Sequence, residues 1–132
     1  GRLLAGLLGD NTFEPRAIFI FGISSELLGM LLITNASNSI LLYTGVVFFG
    51  LGFGLGLVSA TTLFANYYGA QNMATLLSYR ILLGTLLGGA GVVVCGYAAD
   101  IFGGYSQAFY FYSAVLLIGT ALVIMIRTPQ HE

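Results

Sequence analysis

The stretch SILLYTGVVFFGLGFGLGLVSATTLFA, residues 39–65, decides the fold class of this chain. It contains no Asp, Glu, Lys or Arg. Its apolar run is far longer than the alternating segments of about ten residues that form membrane β-strands. A helix that crosses a bilayer needs about 20 predominantly apolar residues. The stretch therefore predicts a transmembrane α-helix, which would be about 40 Å long and would have to tilt or protrude.

The composition of the whole chain agrees with this prediction. Hydrophobic residues make up 58% and charged residues 7% of the 132 residues, and the mean hydropathy is +0.95. A soluble domain carries about 25% charged residues, which it needs to cover its surface. The net charge of −1 provides no basic face for a nucleic acid. The expected surroundings are therefore a lipid bilayer, and no nucleic-acid partner is expected.

The sequence offers little material for covalent or metal chemistry. Its single cysteine, Cys95, lies in an apolar stretch, and its single histidine, His131, lies in the polar tail. A zinc-type site needs several clustered ligands, and a disulfide needs two cysteines. The glycines of residues 50–56 lack the strand, helix and acidic residue that a dinucleotide fingerprint requires. We therefore expect no metal, no cofactor and no enzymatic activity.

The length criterion that identifies residues 39–65 as a span identifies three more spans. The polar turns between them are short, so consecutive helices should be antiparallel neighbours in an all-α membrane protein. Since the chain begins at Gly1 and shows no signal-peptide pattern, we interpret residues 1–132 as a fragment of a longer protein. The predicted spans are residues 16–34, 39–65, 75–99 and 107–126, with a cytoplasmic loop at 1–15 and a cytoplasmic tail at 127–132.

The basic residues predict the orientation of these spans. All four are arginines, and none lies in the turns at residues 35–38 and 100–104. Basic residues collect in cytoplasmic loops. Both ends of the chain are therefore expected on the cytoplasmic side of the plasma membrane. The four arginines are Arg2, Arg16, Arg80 and Arg127.

Glycines are concentrated in the second and third spans. Small residues let helix backbones approach closely in a membrane, where no hydrophobic force drives helices together. Such helices can form a static interface or a moving one, and the sequence leaves both alternatives open. The candidate packing glycines, several of them in G-x-x-x-G spacing, are Gly50, Gly54, Gly84, Gly88 and Gly91.

Two ionisable residues within the spans are candidates for function. Glu26 lies near the middle of the first span, where an ionisable group costs several kcal/mol and marks a functional hypothesis. It is a candidate for proton coupling, or alternatively a hydrogen-bonded glutamate that faces another helix. Arg80 can bind an anionic substrate through its planar guanidinium, or alternatively extend to the headgroups. Tyr79 and Tyr43 complete the candidate substrate-binding set.

Three stretches resemble the major facilitator superfamily of secondary transporters. GLLGD at residues 6–10 is similar to the G-x-x-x-D start of the superfamily's cytoplasmic loop motif, although the chain continues NTFEP with Arg16 as the next basic residue. YG at 68–69, followed by a glycine-rich helix that ends in Asp100 and a GGY turn, resembles loop 10–11 and helix 11. The glycine run of the second span resembles helix 10. Within the superfamily, the pattern is most similar to the monocarboxylate and oxalate/formate antiporter-like branch.

The resemblance implies a twelve-helix transporter of which the four spans are helices 9 to 12. Helices 10 and 11 would face the central cavity, which favours substrate contact for Arg80. Helix 9 would be peripheral, which favours a structural role for Glu26. Gly6, Asp10 and Arg16 would belong to the loop motif that gates the transport cycle. The implied partners are a small-molecule substrate, the bilayer and the remaining helices of the same transporter.

Three functions are consistent with the sequence. The first is transport of a small solute, such as an organic anion, by alternating access, with the fragment unable to transport alone. The second is a complete four-helix multidrug/proton antiporter that works as a dimer through Glu26. The third is a membrane scaffold that transports nothing. The one-sided arginines favour the first over the second, because dual-topology antiporters need a near-neutral charge bias.

Overall fold

The computed structural model describes residues 1–11 and 14–125, and all structural statements below concern these residues. They form five α-helices and one short 3-10 turn, Ala70–Asn72. Helices α2 to α5 are each long and apolar enough to cross a membrane, which confirms the all-α membrane fold. The helices are α1 Arg2–Asn11, α2 Pro15–Thr34, α3 Ser39–Tyr68, α4 Met73–Phe102 and α5 Ser106–Met125.

Helix ends lie close to the predicted span limits and carry recognisable local signals. Pro15 opens α2, where its missing N–H costs nothing because the first helical N–H groups have no partner in the helix. Asn38 caps α3, since its side-chain oxygen accepts a hydrogen bond from the Leu41 backbone N–H over 2.8 Å. Gly103 ends α4 in the left-handed conformation, with φ 72°, that glycine adopts without a steric penalty. Residue 126, the predicted end of the fourth span, lies outside the described residues.

The largest difference from the sequence prediction lies at the N-terminus. Residues 1–15 were expected to form a loop, whereas Arg2–Asn11 form helix α1. Ala5 of α1 is buried together with Leu55 of α3 and Ile18 of α2. Apolar side chains thus attach α1 to the α2–α3 pair, and this burial explains why the segment is helical rather than a free loop.

Helices α2 and α3 are the most closely packed pair of helices. A Cβ atom added at Gly29 would lie 2.7 Å from the carbonyl oxygen of Gly45, and one added at Gly45 would lie 3.0 Å from that of Gly29. Two turns away, a Cβ at Gly22 would lie 3.1 Å from the carbonyl oxygen of Gly52. These four glycines let the antiparallel backbones touch, as small residues do in membrane helix pairs.

The glycines predicted from G-x-x-x-G spacing behave differently. A Cβ at Gly54 would lie 2.9 Å from the backbone nitrogen of Arg2, so Gly54 admits the start of α1. The packing role of the other four stays a prediction, because their contacts would have to come from outside the described residues. No described atom lies within 4 Å of a Cβ added at Gly50, Gly84, Gly88 or Gly91.

Helices α4 and α5 are less enclosed. No residue of α4 is buried against the other described helices. Helix α5 lies along α2 and contributes buried Ala108 and Ser113. Side-chain hydrogen bonds join α4 to α3 and α5 to α2, and the Ser25 hydroxyl of α2 donates to the Phe48 carbonyl oxygen of α3 over 2.9 Å.

Candidate functional site

Arg80 of α4 is anchored to α3 through its guanidinium group. Its Nη1 atom donates a hydrogen bond to Oγ1 of Thr61 over 3.1 Å and a longer one to the Leu57 carbonyl oxygen over 3.5 Å. The guanidinium carbon lies 6.0 Å from the centre of the Phe64 ring, at the edge of cation–π range. We call Arg80, Thr61 and Phe64 the Arg80 cluster.

The spacing along α3 explains how one helix supplies all of these contacts. Leu57, Thr61 and Phe64 lie four and then three residues apart, which places them on one face of a helix. The Thr61 hydroxyl donates to the Leu57 carbonyl oxygen over 3.0 Å, so its oxygen is left to accept from Arg80. The cluster holds the arginine in a half-buried position. The other N–H groups of the guanidinium, three of its five, have no hydrogen-bond partner among the described residues.

The two predicted tyrosines do not join this cluster. Tyr79 is adjacent to Arg80 in sequence but 61% exposed, and Tyr43 is 69% exposed near the start of α3. Along the α3 axis, Tyr43 lies about 27 Å from Thr61. Tyr43 therefore cannot share one small ligand with Arg80 in this arrangement. The substrate-binding roles of Tyr79 and Tyr43 stay predictions.

Arg2 lies deeper than the sequence indicated. It was predicted to belong to a cytoplasmic loop and to mark that side of the membrane. Its backbone instead lies against Gly54, midway along α3, which spans Ser39–Tyr68. Gly54 is about 20 Å from either end of α3, so the backbone of Arg2 lies near the middle of the span. Arg2 is thus a second arginine beside α3, about 10 Å from the level of Thr61 along the helix axis.

Glu26 faces α5 and is buried, with 6% of its surface exposed. The hydroxyl of Tyr112 donates a hydrogen bond to its Oε1 atom over 2.8 Å. The backbone of Glu26 also lies against Gly52 of α3. Tyr112 was not among the residues predicted from the sequence. Its position inside an apolar span, away from the headgroup depth that tyrosines favour, was the available signal.

Of the three loop-motif residues, Gly6 and Asp10 lie one turn apart on α1, and Arg16 lies at the start of α2. Gly6 lies on α1, and a Cβ added there would have no described atom within 4 Å. The side chain of Asp10 lies outside the part of the chain that the structure describes. Arg16, at the start of α2, donates hydrogen bonds from Nη2 to the carbonyl oxygens of Ile124 over 2.7 Å and Val123 over 3.3 Å. Its observed contact is therefore with the last described turn of α5. The gating role of the motif stays a prediction.

The protein is a polytopic α-helical membrane protein. Four apolar helices are joined by short turns, and arginine residues lie beside α3. The family model of the Major Facilitator Superfamily matches residues 1–132, and the chain belongs to this superfamily. It is accordingly a membrane transporter of the major facilitator type. Comparisons with curated proteins and with solved structures found no match. The monocarboxylate-like branch stays a prediction.

Proposed function

We propose that the protein moves a small organic anion across the membrane by alternating access, and that Arg80 contacts the anion. The observation that carries this proposal is the geometry of the Arg80 cluster. Thr61 and Phe64 fix the guanidinium, yet only its Nη1 atom donates to described residues. A guanidinium so held can offer two parallel N–H groups to a carboxylate.

The charge around Arg80 supports an anionic ligand. No described carboxylate lies within hydrogen-bonding distance of its guanidinium, whose partners are a hydroxyl and a carbonyl oxygen. A cation inside a membrane protein is expensive unless it is paired or hydrated. A substrate carboxylate would supply the missing counter-charge during transport.

Arg2 supports the same substrate class from a second position. Its backbone lies beside the middle of α3, and the side chain is exposed among the described residues. Two arginines about 10 Å apart along one helix can attract an anion to the same half of the membrane span. In this proposal Arg2 provides long-range attraction and Arg80 the direct contact.

The position of α1 supports the assignment of α2 to α5 as helices 9 to 12. Helix α1 accompanies α3 from Gly54 towards Val58, as the inner half of a further span would. We propose that α1 is the inner end of helix 8 and that the two halves of the transporter rock about a midplane site. The junction between α1 and α2 and the C-terminal end of α5 would then lie on the cytoplasmic side, while Gly1, against Gly54, would lie within the span.

Uptake into proteoliposomes that contain the protein from its complete reading frame tests this proposal. Small mono- and dicarboxylates are compared with neutral sugars of similar size. We expect carboxylate uptake, and we expect Arg80→Gln to raise KM about tenfold or more, since hydrogen bonds to charged groups contribute roughly 1.5–3 kcal/mol. Arg80→Lys should recover only part of the loss, because an ammonium cannot bind a carboxylate with a planar fork.

Two outcomes would contradict the proposal. Uptake of neutral solutes at the same rate as carboxylates would exclude an anion-selective site. An unchanged KM in Arg80→Gln, with uptake intact, would remove Arg80 from the substrate path. Size-exclusion chromatography of each variant separates these results from loss of the fold.

A further inference from the structure

A groove opens between α2, α3 and α5; it adjoins the Arg80 cluster at Phe64, but Arg80 itself does not line it. Its volume is about 320 Å³, at the lower end of ligand-sized clefts. Arg16 and Phe19 of α2 form one wall, and Val123 of α5 closes the far side. The floor and the remaining wall come from the last turns of α3, and they include Ala60, Tyr67 and Tyr68.

The groove carries a single kind of charge. Arg16 is the only ionisable residue with a formal charge among its described lining residues. The Arg16 guanidinium is held in place because its Nη2 atom donates to the carbonyl oxygens of Val123 and Ile124. The side chain is half-buried, so its cation lies at the edge of the groove rather than in open water. The remaining lining is apolar or aromatic, as an amphipathic ligand requires.

The level of the groove along the helices indicates the source of that ligand. Arg16 is the second residue of α2, and Tyr67 and Tyr68 are the last two residues of α3. Tyrosines and arginines at span ends lie at the depth of the lipid headgroups. Phe19, one turn further along α2, lies at the depth where acyl chains begin. The cation and the apolar wall are thus arranged in the order of a phospholipid's phosphate and acyl chain.

We propose that this groove binds an anionic phospholipid from the leaflet in which Arg16 lies. Its phosphate lies against Arg16 and the hydroxyls of Tyr67 and Tyr68. The part of one acyl chain nearest the headgroup packs on Phe19 and Val123. Basic pockets between membrane helices bind anionic headgroups in this way. Bound there, the lipid bridges α2, α3 and α5 at a single point. This site does not depend on the transported solute.

Fluorescence quenching by brominated lipids tests the proposal. The 132-residue sequence contains no Trp, so Phe19→Trp places a reporter in the groove wall. The protein is reconstituted in mixtures of brominated phosphatidylglycerol or brominated phosphatidylcholine, and the relative binding constant of the two lipids is measured. We expect phosphatidylglycerol to be preferred about fivefold, the factor that one basic residue contributes at a membrane surface.

Four variants locate the preference. Arg16→Gln in the Phe19→Trp background should bring the ratio close to one, and Arg16→Lys should retain most of it because the charge remains. Phe21→Trp, two residues further along α2 and 65% exposed, is the matched reporter outside the groove and should show a ratio near one. Arg80→Gln should leave the ratio at Phe19→Trp unchanged, which separates this site from the proposed transport site.

The proposal is overturned by any of three results. Equal quenching by the two lipids at Phe19→Trp would show a groove without charge selectivity. Quenching by neither lipid would show that another part of the protein fills the groove. A preference that persists in Arg16→Gln, when circular dichroism shows the fold intact, would assign the selectivity to other groups.

Discussion

Tyr112 of α5 donates a hydrogen bond from its hydroxyl to Oε1 of Glu26 on α2, over 2.8 Å. The contact joins two helices whose other polar contacts lie near their ends. Tyr110 donates to Asn35 at one end, and Arg16 donates to carbonyl oxygens of α5 at the other. Glu26 is therefore partnered within the protein, which explains how α2 accommodates a buried carboxyl group in an apolar span.

Removing the Tyr112 hydroxyl should weaken the α2–α5 pair. Tyr112→Phe leaves the buried Glu26 carboxyl without this donor, and we expect a loss of about 1–2 kcal/mol in the free energy of unfolding. Tyr110→Phe is the matched control, because its hydroxyl binds the exposed Asn35 side chain and water can replace it. Steric-trapping measurements in bicelles compare the two variants. An equal loss of unfolding free energy in the two variants would show that the burial of Glu26 does not determine the size of the loss.

Glu26→Gln distinguishes a structural carboxyl group from a proton-coupling one. A glutamine keeps an oxygen that accepts from Tyr112, but it cannot carry a titrating proton. Because the Tyr112 contact gives Glu26 a structural task, we expect the variant to keep both its fold and its solute uptake. Uptake is measured in proteoliposomes with and without a proton gradient. An intact fold with loss of the gradient-driven component would assign proton coupling to Glu26.

The sequence was most informative where composition alone determines structure. Long apolar runs and polar turns located α2 to α5, since lipid permits only helices there or closed barrels. The helix α1 was missed because its burial depends on Leu55 and Ile18, which are distant in sequence. Glu26 and Arg80 could be selected by charge, but their partners Tyr112 and Thr61 could not. Which side chain faces which depends on helix rotation and tilt, and tertiary packing sets both.

The glycine pattern shows a similar limit. G-x-x-x-G spacing was the pattern used to predict packing glycines. The closest α2–α3 contacts instead use glycines two helical turns apart, as in Gly22 and Gly29 or Gly45 and Gly52. Such a repeat keeps one seam facing its partner when helices cross at a small angle. It could have been noticed in each span separately. The pairing of the two seams could not, because it depends on the register of α2 against α3.

Gly45→Ala should disrupt the α2–α3 interface. The added Cβ would lie 2.9 Å from Cγ1 of Ile33 and 3.0 Å from the carbonyl oxygen of Gly29, which is backbone and cannot move aside alone. We expect a loss of about 1–3 kcal/mol, typical of overpacking. Gly119→Ala on α5 is the control, since its Cβ would meet no described atom within 4 Å. Thermal unfolding in detergent compares the two, and a Gly45→Ala midpoint equal to wild type would refute the close approach.

Thr61→Val should affect substrate affinity through the position of Arg80. Valine preserves the shape of threonine but removes the oxygen that accepts from Nη1 over 3.1 Å. We expect KM for a transported carboxylate to rise about threefold to tenfold, while kcat changes little, because one charge-assisted hydrogen bond is lost. Thr61→Ser should restore the wild-type KM. Thr62→Val is the matched control, because the Thr62 hydroxyl donates only to the Val58 carbonyl oxygen among described residues.

The orientation of the chain can be measured at its two exposed turns. Ser37 lies in the turn between α2 and α3, and Gln71 lies in the turn between α3 and α4, so one transmembrane helix separates them. Both side chains are exposed. Cys95→Ala removes the one thiol of residues 1–132 before Ser37→Cys or Gln71→Cys is introduced, and cysteines elsewhere in the reading frame are replaced as well.

Arg16 and Arg80 both lie towards the Gln71 side of the molecule, since Arg16 lines a groove with Tyr68 and Arg80 binds Thr61. Arginines favour the cytoplasmic side of a membrane. Arg2 lies too deep to mark that side, but the other arginines still indicate that the Gln71 turn is cytoplasmic. A membrane-impermeant maleimide should therefore label Ser37→Cys in intact cells, and Gln71→Cys only after permeabilisation. The reverse labelling pattern would invert the proposed topology. It would also move the lipid groove at Arg16 to the outer leaflet, where the supply of anionic lipid is different.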